Sequence, residues 1–467
     1  MVGVFAVLGN AAVSLSAHRL ASATASNNLE NVNTPGYARQ RALLVAGADT
    51  ADRGGRVGSG VLAVDVRQAR DRWLENRMPG ALGEDAAARS AAAALGAVSA
   101  LDPEAAGGVA DAVGAFFAAL RGWSQDPANA SWRVSVLGAA TTMTQAFNRT
   151  AAAVEDAWRS QDVIVTDAAR EVTDLTARLA ELNRQVRVAR GTGATPNTLL
   201  DQRTLVRDRL AELTGATSLE DADGNLNVGL PGGMALVQGQ EAASMTTRAD
   251  PANAGHVVVL LTRTDGSGPQ VVEAAQLGGQ VGGALAARDG ALANAGAALD
   301  ALAFDLAGRL NVAHSAGVGL DGVSGRNLLD AGATAASAAR RLAVSVDVAG
   351  NPSALAAAGS AGDLPGGNTT LQALLAVDTT AGASGDTPGG TAAALSASYG
   401  AAVQQAQARA DGAAAQLAQL GALRESTSGV NVDEEMVTLM QAQRAYEATL
   451  KVITTADQML DALMKLR

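Results

Sequence analysis

Chemistry needs particular side chains at particular spacings, and in this 467-residue chain such side chains are scattered. His18, His256 and His314 are the only histidines and share no ligand spacing, so each is expected to be an ordinary surface or core residue. Asp221, Asp223 and Asn225 begin like a calcium loop, but the glycine stands at 224 instead of 226 and position 232 is Gly instead of Glu. A hairpin turn is the better reading. Asp433, Glu434 and Glu435 could be acid–base carboxylates, yet they open a helical pattern, where they complement the helix macrodipole. The chain has no Gly-x-Ser-x-Gly elbow, phosphate loop or dinucleotide fingerprint. The expectation is no catalytic residue, no cofactor, no metal and no enzymatic activity.

Composition points the same way. Only 3% of residues are aromatic and 52 are Gly, which suits long helices packed through small side chains better than a catalytic core. The net charge of −11 would repel a phosphate backbone, so nucleic acid is not expected as a partner. Absent cysteine excludes disulfides and thiolate metal sites. No basic n-region or cleavage site marks the N-terminus, and no run of about 18 uncharged apolar residues is read, so neither a cleaved signal nor membrane insertion is expected.

The elements emerge from periodicity. Over 131–190 the seam Phe147, Ala151, Val154, Trp158, Gln161, Val165, Ala168, Val172, Leu175, Leu179, Leu182, Val186, Ala189 alternates steps of four and three without a break. One helix of roughly 90 Å is predicted, stopping at Gly191-Thr192-Gly193. A second follows Pro196-Asn197 and ends at Gly215, making a helical hairpin. Residues 216–281 read as short strands and hairpins, with turns at Asp223-Gly224 and Asp265-Gly266. Helix returns from 283 to about 316. Residues 321–390, rich in Gly, Ala, Ser, Thr and Pro with a strand-like stretch at 342–346, read as an exposed, loop-rich inserted module. It carries Asp321, Asp330, Asp347, Asp363, Asp378 and Asp386 but no Glu, a poor basis for a carried wall-cleaving enzyme.

At the N-terminus an apolar helix is followed by Thr34-Pro35-Gly36-Tyr37, where Pro at the second position and Gly at the third specify a type II turn expected to end that helix. Strand-like stretches follow at 37–45 and 60–66. At the C-terminus, helices over about 392–425 and 431–466 are predicted, the last with a seam at Met436, Leu439, Gln443, Tyr446, Leu450, Ile453, Asp457, Leu460 and Met464.

The run Asn27-Asn28-Leu29-Glu30-Asn31-Val32-Asn33-Thr34-Pro35-Gly36-Tyr37 resembles the N-terminal signature of bacterial flagellar rod, hook and hook-associated proteins. Residues 429–436, 441–448 and 455–460 are similar to the C-terminal signature of the same family. Within it, the segments Leu182-Asn183-Arg184-Gln185-Val186, Pro196 through Arg203 and Gly278 through Leu285 resemble the hook–filament junction branch, since rod and hook members lack this long helical portion.

The resemblance implies a mainly α fold with inserted β, as an elongated multi-domain rod whose N- and C-terminal helices pair as an α-helical coiled coil beside a central long-helix bundle. The division implied is 1–70 with 427–467 as a terminal core domain; 71–215, 282–320 and 391–426 as a helical rod; and 216–281 and 321–390 as an outer module. Subunit-interface positions are implied at Leu15, Asn27, Asn28, Leu29, Asn31, Asn33, Gly36 and Tyr37, and at the nine positions of the C-terminal seam. Implied partners are further copies in a helical layer, the hook protein, a second junction protein (hook-associated protein 3) and an export chaperone on the C-terminal helix. The implied location is the hook tip outside the cell, reached by type III export without a cleaved signal. A hook, rod or filament-side junction subunit is the alternative. Terminal stripes this narrow are expected to be disordered in the free monomer and to fold on assembly.

Overall fold

The computed structural model describes residues 2–52, 55–103, 107–193 and 195–465. Helix α1 (Val2–Glu30) leads through a turn into strand β1 (Gln40–Ala46), the short pair β2 (Asp49–Asp52) and β3 (Gly55–Gly58), and β4 (Val61–Gln68). β1 and β4 pair antiparallel with a bulge between Leu43 and Leu44. Three helices follow: α2 (Arg72–Gly96), capped by the Asp71 carboxylate on Trp73 N–H and Leu74 N–H, α3 (Val109–Trp123) and α4 (Ala130–Gly191). α4 is a single helix of 62 residues capped by Asn129. Every residue of its predicted seam is buried or half-buried. α5 (Asn197–Thr214) packs back on it and stops where Gly215 takes φ +69°, a conformation open to Gly.

The predicted β region holds a four-stranded sheet in the order β5 (Thr217–Glu220), β6 (Leu226–Gly229), β7 (Ala235–Gln238), β8 (Glu241–Ala242), and a three-stranded sheet with β10 (Val257–Thr262) between β9 (Ser244–Ala249) and β11 (Gln270–Val272). The Asp221 carboxylate accepts the backbone N–H of Asp223 and Asn225, so this stretch is the expected hairpin turn. Among the described residues, no cluster of three or more His, Cys, Asp and Glu could hold a metal.

The next helix starts four residues earlier than expected. α6 (Gly279–Ala286) runs through a π-helical turn (Ala287–Leu292) into α7 (Ala293–Ser315). The reason is that Gly279, at φ +59°, lets the chain turn tightly against α5, where a Cβ would collide with the Leu213 and Thr214 backbone.

Residues 321–390 are not an exposed module. β12 (Val318–Gly319), β13 (Leu329–Asp330), α8 (Ala338–Arg341), β14 (Ala343–Val344), β15 (Ala356–Ala358) and α9 (Thr369–Thr379) close over α4 and α7. They bury Leu328, Leu329, Leu342, Leu355, Leu371 and Leu374 in the main core. Their leucines are few and spaced between Ala and Gly, so the composition reads as loop while the apolar side chains still reach the core. The strand expected at 342–346 shrinks to two residues because the chain turns at Ser345, leaving Val346 outside.

Two helices close the chain, α10 (Pro388–Ser428) and α11 (Val432–Lys465), and α11 packs on α1. The C-terminal end of α1 meets the N-terminal end of α11, so the pair runs antiparallel. The fold is mainly helical with β-rich insertions and long terminal helices in contact. No run of 18 uncharged apolar residues occurs in α1, which Arg19 interrupts, yet an 18-residue window within Gly3–Glu30 reaches a mean hydropathy of 1.3, enough by length and composition to cross a membrane, and few of its residues are buried within the chain.

Candidate functional site where the chain ends converge

The turn that leaves α1 is built as its residues demand. The helix ends at Glu30, four residues before Thr34, because Asn31 folds back with its side-chain amide on Asn27 O. The type II turn follows: Gly36 has φ +76°, and Tyr37 N–H donates to Thr34 O at 3.2 Å. A Cβ at Gly36 would meet the Leu205 side chain of α5, which is partly exposed and able to move, so it is the positive φ that favours glycine here.

This turn aims Tyr37 back at α1. Its hydroxyl donates to Asn28 Oδ1 at 2.7 Å and lies 2.9 Å from Asn27 Oδ1. Burial, with Asp201 and Glu435 nearby, pushes the phenol up to about 12, so it stays a donor at any physiological pH. Asn28 is fully buried and uses its whole amide: Oδ1 also accepts Gln40 N–H at 2.9 Å, and Nδ2 donates to Gln40 O at 2.8 Å and to Glu435 Oε2 at 3.0 Å. Glu435 belongs to the other end of the chain. Its second oxygen takes Arg39 Nε at 2.5 Å, Arg39 reaches Glu434 at 2.8 Å, and Arg39 N–H donates to Ser428 O. Asn31 and Asn33 stay at the surface or half-buried, as do Leu15 and Leu29.

The lock continues into the helical body. Asn197 donates to Val66 O and to Gln40 Oε1, and Gln68 donates to Asn197 O and to Asp201. Arg70 pairs with Asp201 at 2.5 Å and donates to Thr204 Oγ1. Beyond it, Glu75 of α2 meets Arg70, Arg207 and Arg424. Burial alone would raise the Glu75 carboxyl, but these three guanidiniums outweigh it and hold it below its ordinary value. The Pro196-to-Arg203 segment is thus where β1, β4 and Arg70 dock on the start of α5.

Along α11 the structure shifts the predicted seam. The side covered by α1 carries Glu435, Leu439, Ala442, Tyr446, Thr449, Ile453, Ala456 and Leu460, again in steps of four and three. Leu439, Tyr446, Ile453 and Leu460 were expected there. Met436, Gln443, Leu450, Asp457 and Met464, also named as interface positions, are exposed in the single chain, and on the side that α1 covers the residue just before each of the first four takes its place. Small side chains win because α1 offers Ala11, Ala17 and Ala25, which let the two helices approach closely. Glu435 and Arg39 were missed as site residues. The signal available was the phase of Glu435, seven residues before Ala442.

Two family models match the chain. One, described as the flagellar hook-associated protein FlgK helical domain, matches residues 97–329; the other, described as the flagellar basal body rod FlgEFG protein C-terminal, matches residues 420–466. Flagellar hook-associated protein 1 of Salmonella typhimurium is 24% identical over 328 residues, which is 70% of this chain and 59% of that protein. The chain therefore spans 59% of that relative's length. The protein of the same name from Bacillus subtilis is 25% identical over 508 aligned positions, covering 99% of this chain and 98% of that one. Among solved structures, the flagellar hook junction protein FlgK from Burkholderia pseudomallei is similar with a TM-score of 0.52 and 28% identity, over 55% of this chain and 47% of that chain.

Proposed function

We propose that the chain is a structural axial protein of the flagellar hook-associated family, without enzymatic activity, and that it forms the junction layer between hook and filament on which the filament is assembled. The observation that carries this reading is the helical-domain match over 97–329. The C-terminal match is to a rod-protein model, so the terminal helices mark an axial subunit without saying which one. The helical body is what separates a junction subunit from a rod or hook subunit.

In this reading residues 1–70 and 427–467 are the assembling unit. The exposed row Met436, Gln443, Leu450, Asp457 and Met464, with Phe5, Val7, Val13 and Leu20 on α1, meets the same helices of neighbouring copies. Contacts that do not close on themselves generate a helical layer. The hook protein lies below it and the second junction protein above. Before assembly the C-terminal helix, held by α1 and by the lock at its first turn, opens readily enough to take an export chaperone, and the terminal helices gain their full stability only against their neighbours. Outside the cell this unit covers apolar surface that the single chain leaves bare, which accounts for a membrane-grade α1 in an axial protein.

A strain lacking this gene, viewed by electron microscopy, tests the position. Finished hooks without filaments, with filament subunits shed into the medium, are the expected result. Missing or shortened hooks would move the subunit down the axis to rod or hook.

A further inference from the structure

Among the described residues the helical body has two large hydrophobic cores instead of one, beside a small cluster of Leu74, Met78, Ala81 and Leu420 between α2 and α10. On α4 the first core ends at Ala157 and the second begins at Val165; on the opposing helix the second ends at Leu285 and the first begins at Ala287. Between them lies a polar layer. Asp162 takes Arg288 Nη1 at 2.6 Å and His256 Nδ1 at 2.8 Å, and Arg288, 2% exposed, also donates to Val257 O. The π-helical turn falls in the same layer: Ala293 N–H reaches back five residues to Arg288 O, which also accepts Trp158 Nε1. The extra residue re-aims Arg288 toward Asp162, and π turns are recognised points of helix bending.

The layer is also imperfectly filled. Gln161, the one polar residue in the α4 seam, is 3% exposed, and its Oε1 has no hydrogen-bond partner among the described residues. It borders a cleft of about 440 Å³ lined with Ala86, Ser90, Ala93, Ala94 and Arg209. The cleft is large enough for water, so hydration of Gln161 favours the open arrangement over one in which the cleft is closed. Bodies joined across a polar layer move relative to one another more readily than bodies that share one apolar core.

We infer that this layer is a bending joint: the two cores swing as separate bodies, α4 flexes between them, Gln161 keeps the joint open and the Asp162–Arg288 pair limits its travel. The inference concerns the chain itself and does not depend on where in the flagellar axis it sits.

The natural chain has no cysteine, so Arg149→Cys and Arg178→Cys can carry a pair of spin labels on exposed positions of α4, one in each body and about 44 Å apart along a straight helix. Double electron–electron resonance on the full chain should give a broad distance distribution with a shoulder on its short side. Gln161→Leu, which joins Ala157 to Val165 through an apolar side chain, should lose the shoulder. Arg288→Met should enlarge it. Should Arg288→Met fail to melt cooperatively, Gln161→Leu carries the test alone. One narrow peak in the parent chain overturns the inference, and so does a broad distribution that Gln161→Leu leaves unchanged.

Discussion

Helices α4 and α11 carry the same seven-residue rhythm, and the chain treats them in opposite ways. In α4 every seam position is covered by the chain's own α5, β-sheets, α7 and the 321–390 segment. In α11 half the expected seam faces outward, and the helix is held by α1 and by one polar lock at its first turn. A heptad therefore announces that a helix wants partners, but not whether the partner lies in the same chain. Burial decides that. Where a seam is closed internally it contributes to stability, and where it is left open it is available for assembly.

The sharpest way to break this contrast is Arg39→Ala. It leaves the Glu435 carboxylate buried with only Asn28 as a donor, and removing one partner of a buried pair costs about 3 kcal/mol or more. The loss should be local: hydrogen exchange of α11 amides should speed up strongly while α4 stays protected. Equal loosening of both helices would mean that the terminal pair is not an independent unit. Next comes Leu179→Ala, which opens a cavity at a fully buried α4 position and should cost about 2–5 kcal/mol in urea unfolding of the body. Protection of α11 should be unaffected.

The same contrast explains what was legible in the sequence. The bounds of α4 and α5 were readable because Gly191, Gly193, Pro196 and Gly215 punctuate an apolar pattern that the chain itself buries, although the residue that caps α4 is Asn129, which the periodicity did not mark. The turn at Gly36 was readable because its positive φ favours glycine. The core role of residues 321–390 was not, since single leucines dispersed among Ala and Gly produce no period until the tertiary fold gathers them. On α11 the reading favoured larger side chains such as Met436 and Leu450, whereas close helix approach favours Ala442, Thr449 and Ala456. Glu435 was seen only as a charge at a helix start; its partner Arg39 lies 396 positions away, a distance no local pattern spans.

The two regions should also differ in their response to acid. His314 is buried in the main core, donating Nδ1–H to Arg326 O and accepting Ala356 N–H at Nε2, so both ring nitrogens are committed to the neutral tautomer. Burial holds it below its ordinary 6.5; the Arg326 charge adds to this and Asp347 opposes it. Above pH 6.5 neither folded nor unfolded state binds this proton. Below it the unfolded chain takes up the proton before the folded chain does, so stability falls, with a slope of up to about 1.4 kcal/mol per pH unit. Thermal unfolding of the body between pH 7.5 and 5.5 should show this slope, and His314→Asn should flatten it. An unchanged slope in that variant would assign the acid sensitivity elsewhere.

The smallest effect on the folded monomer is expected from Leu450→Ser, and it tests the contrast most directly. Leu450 sits in the outward row of α11 and is 38% exposed, so replacing it should change monomer stability by no more than about 0.5 kcal/mol. In the proposed helical layer the same side chain would be buried against a neighbouring copy, and its loss would remove an apolar contact once per subunit. Incorporation at the hook tip should therefore fail in a protein that melts like the parent. A variant that assembles normally would show that the outward row is not the contact surface, whereas one as unstable as Leu179→Ala would show that this row is internal and that α11 is closed in the way α4 is.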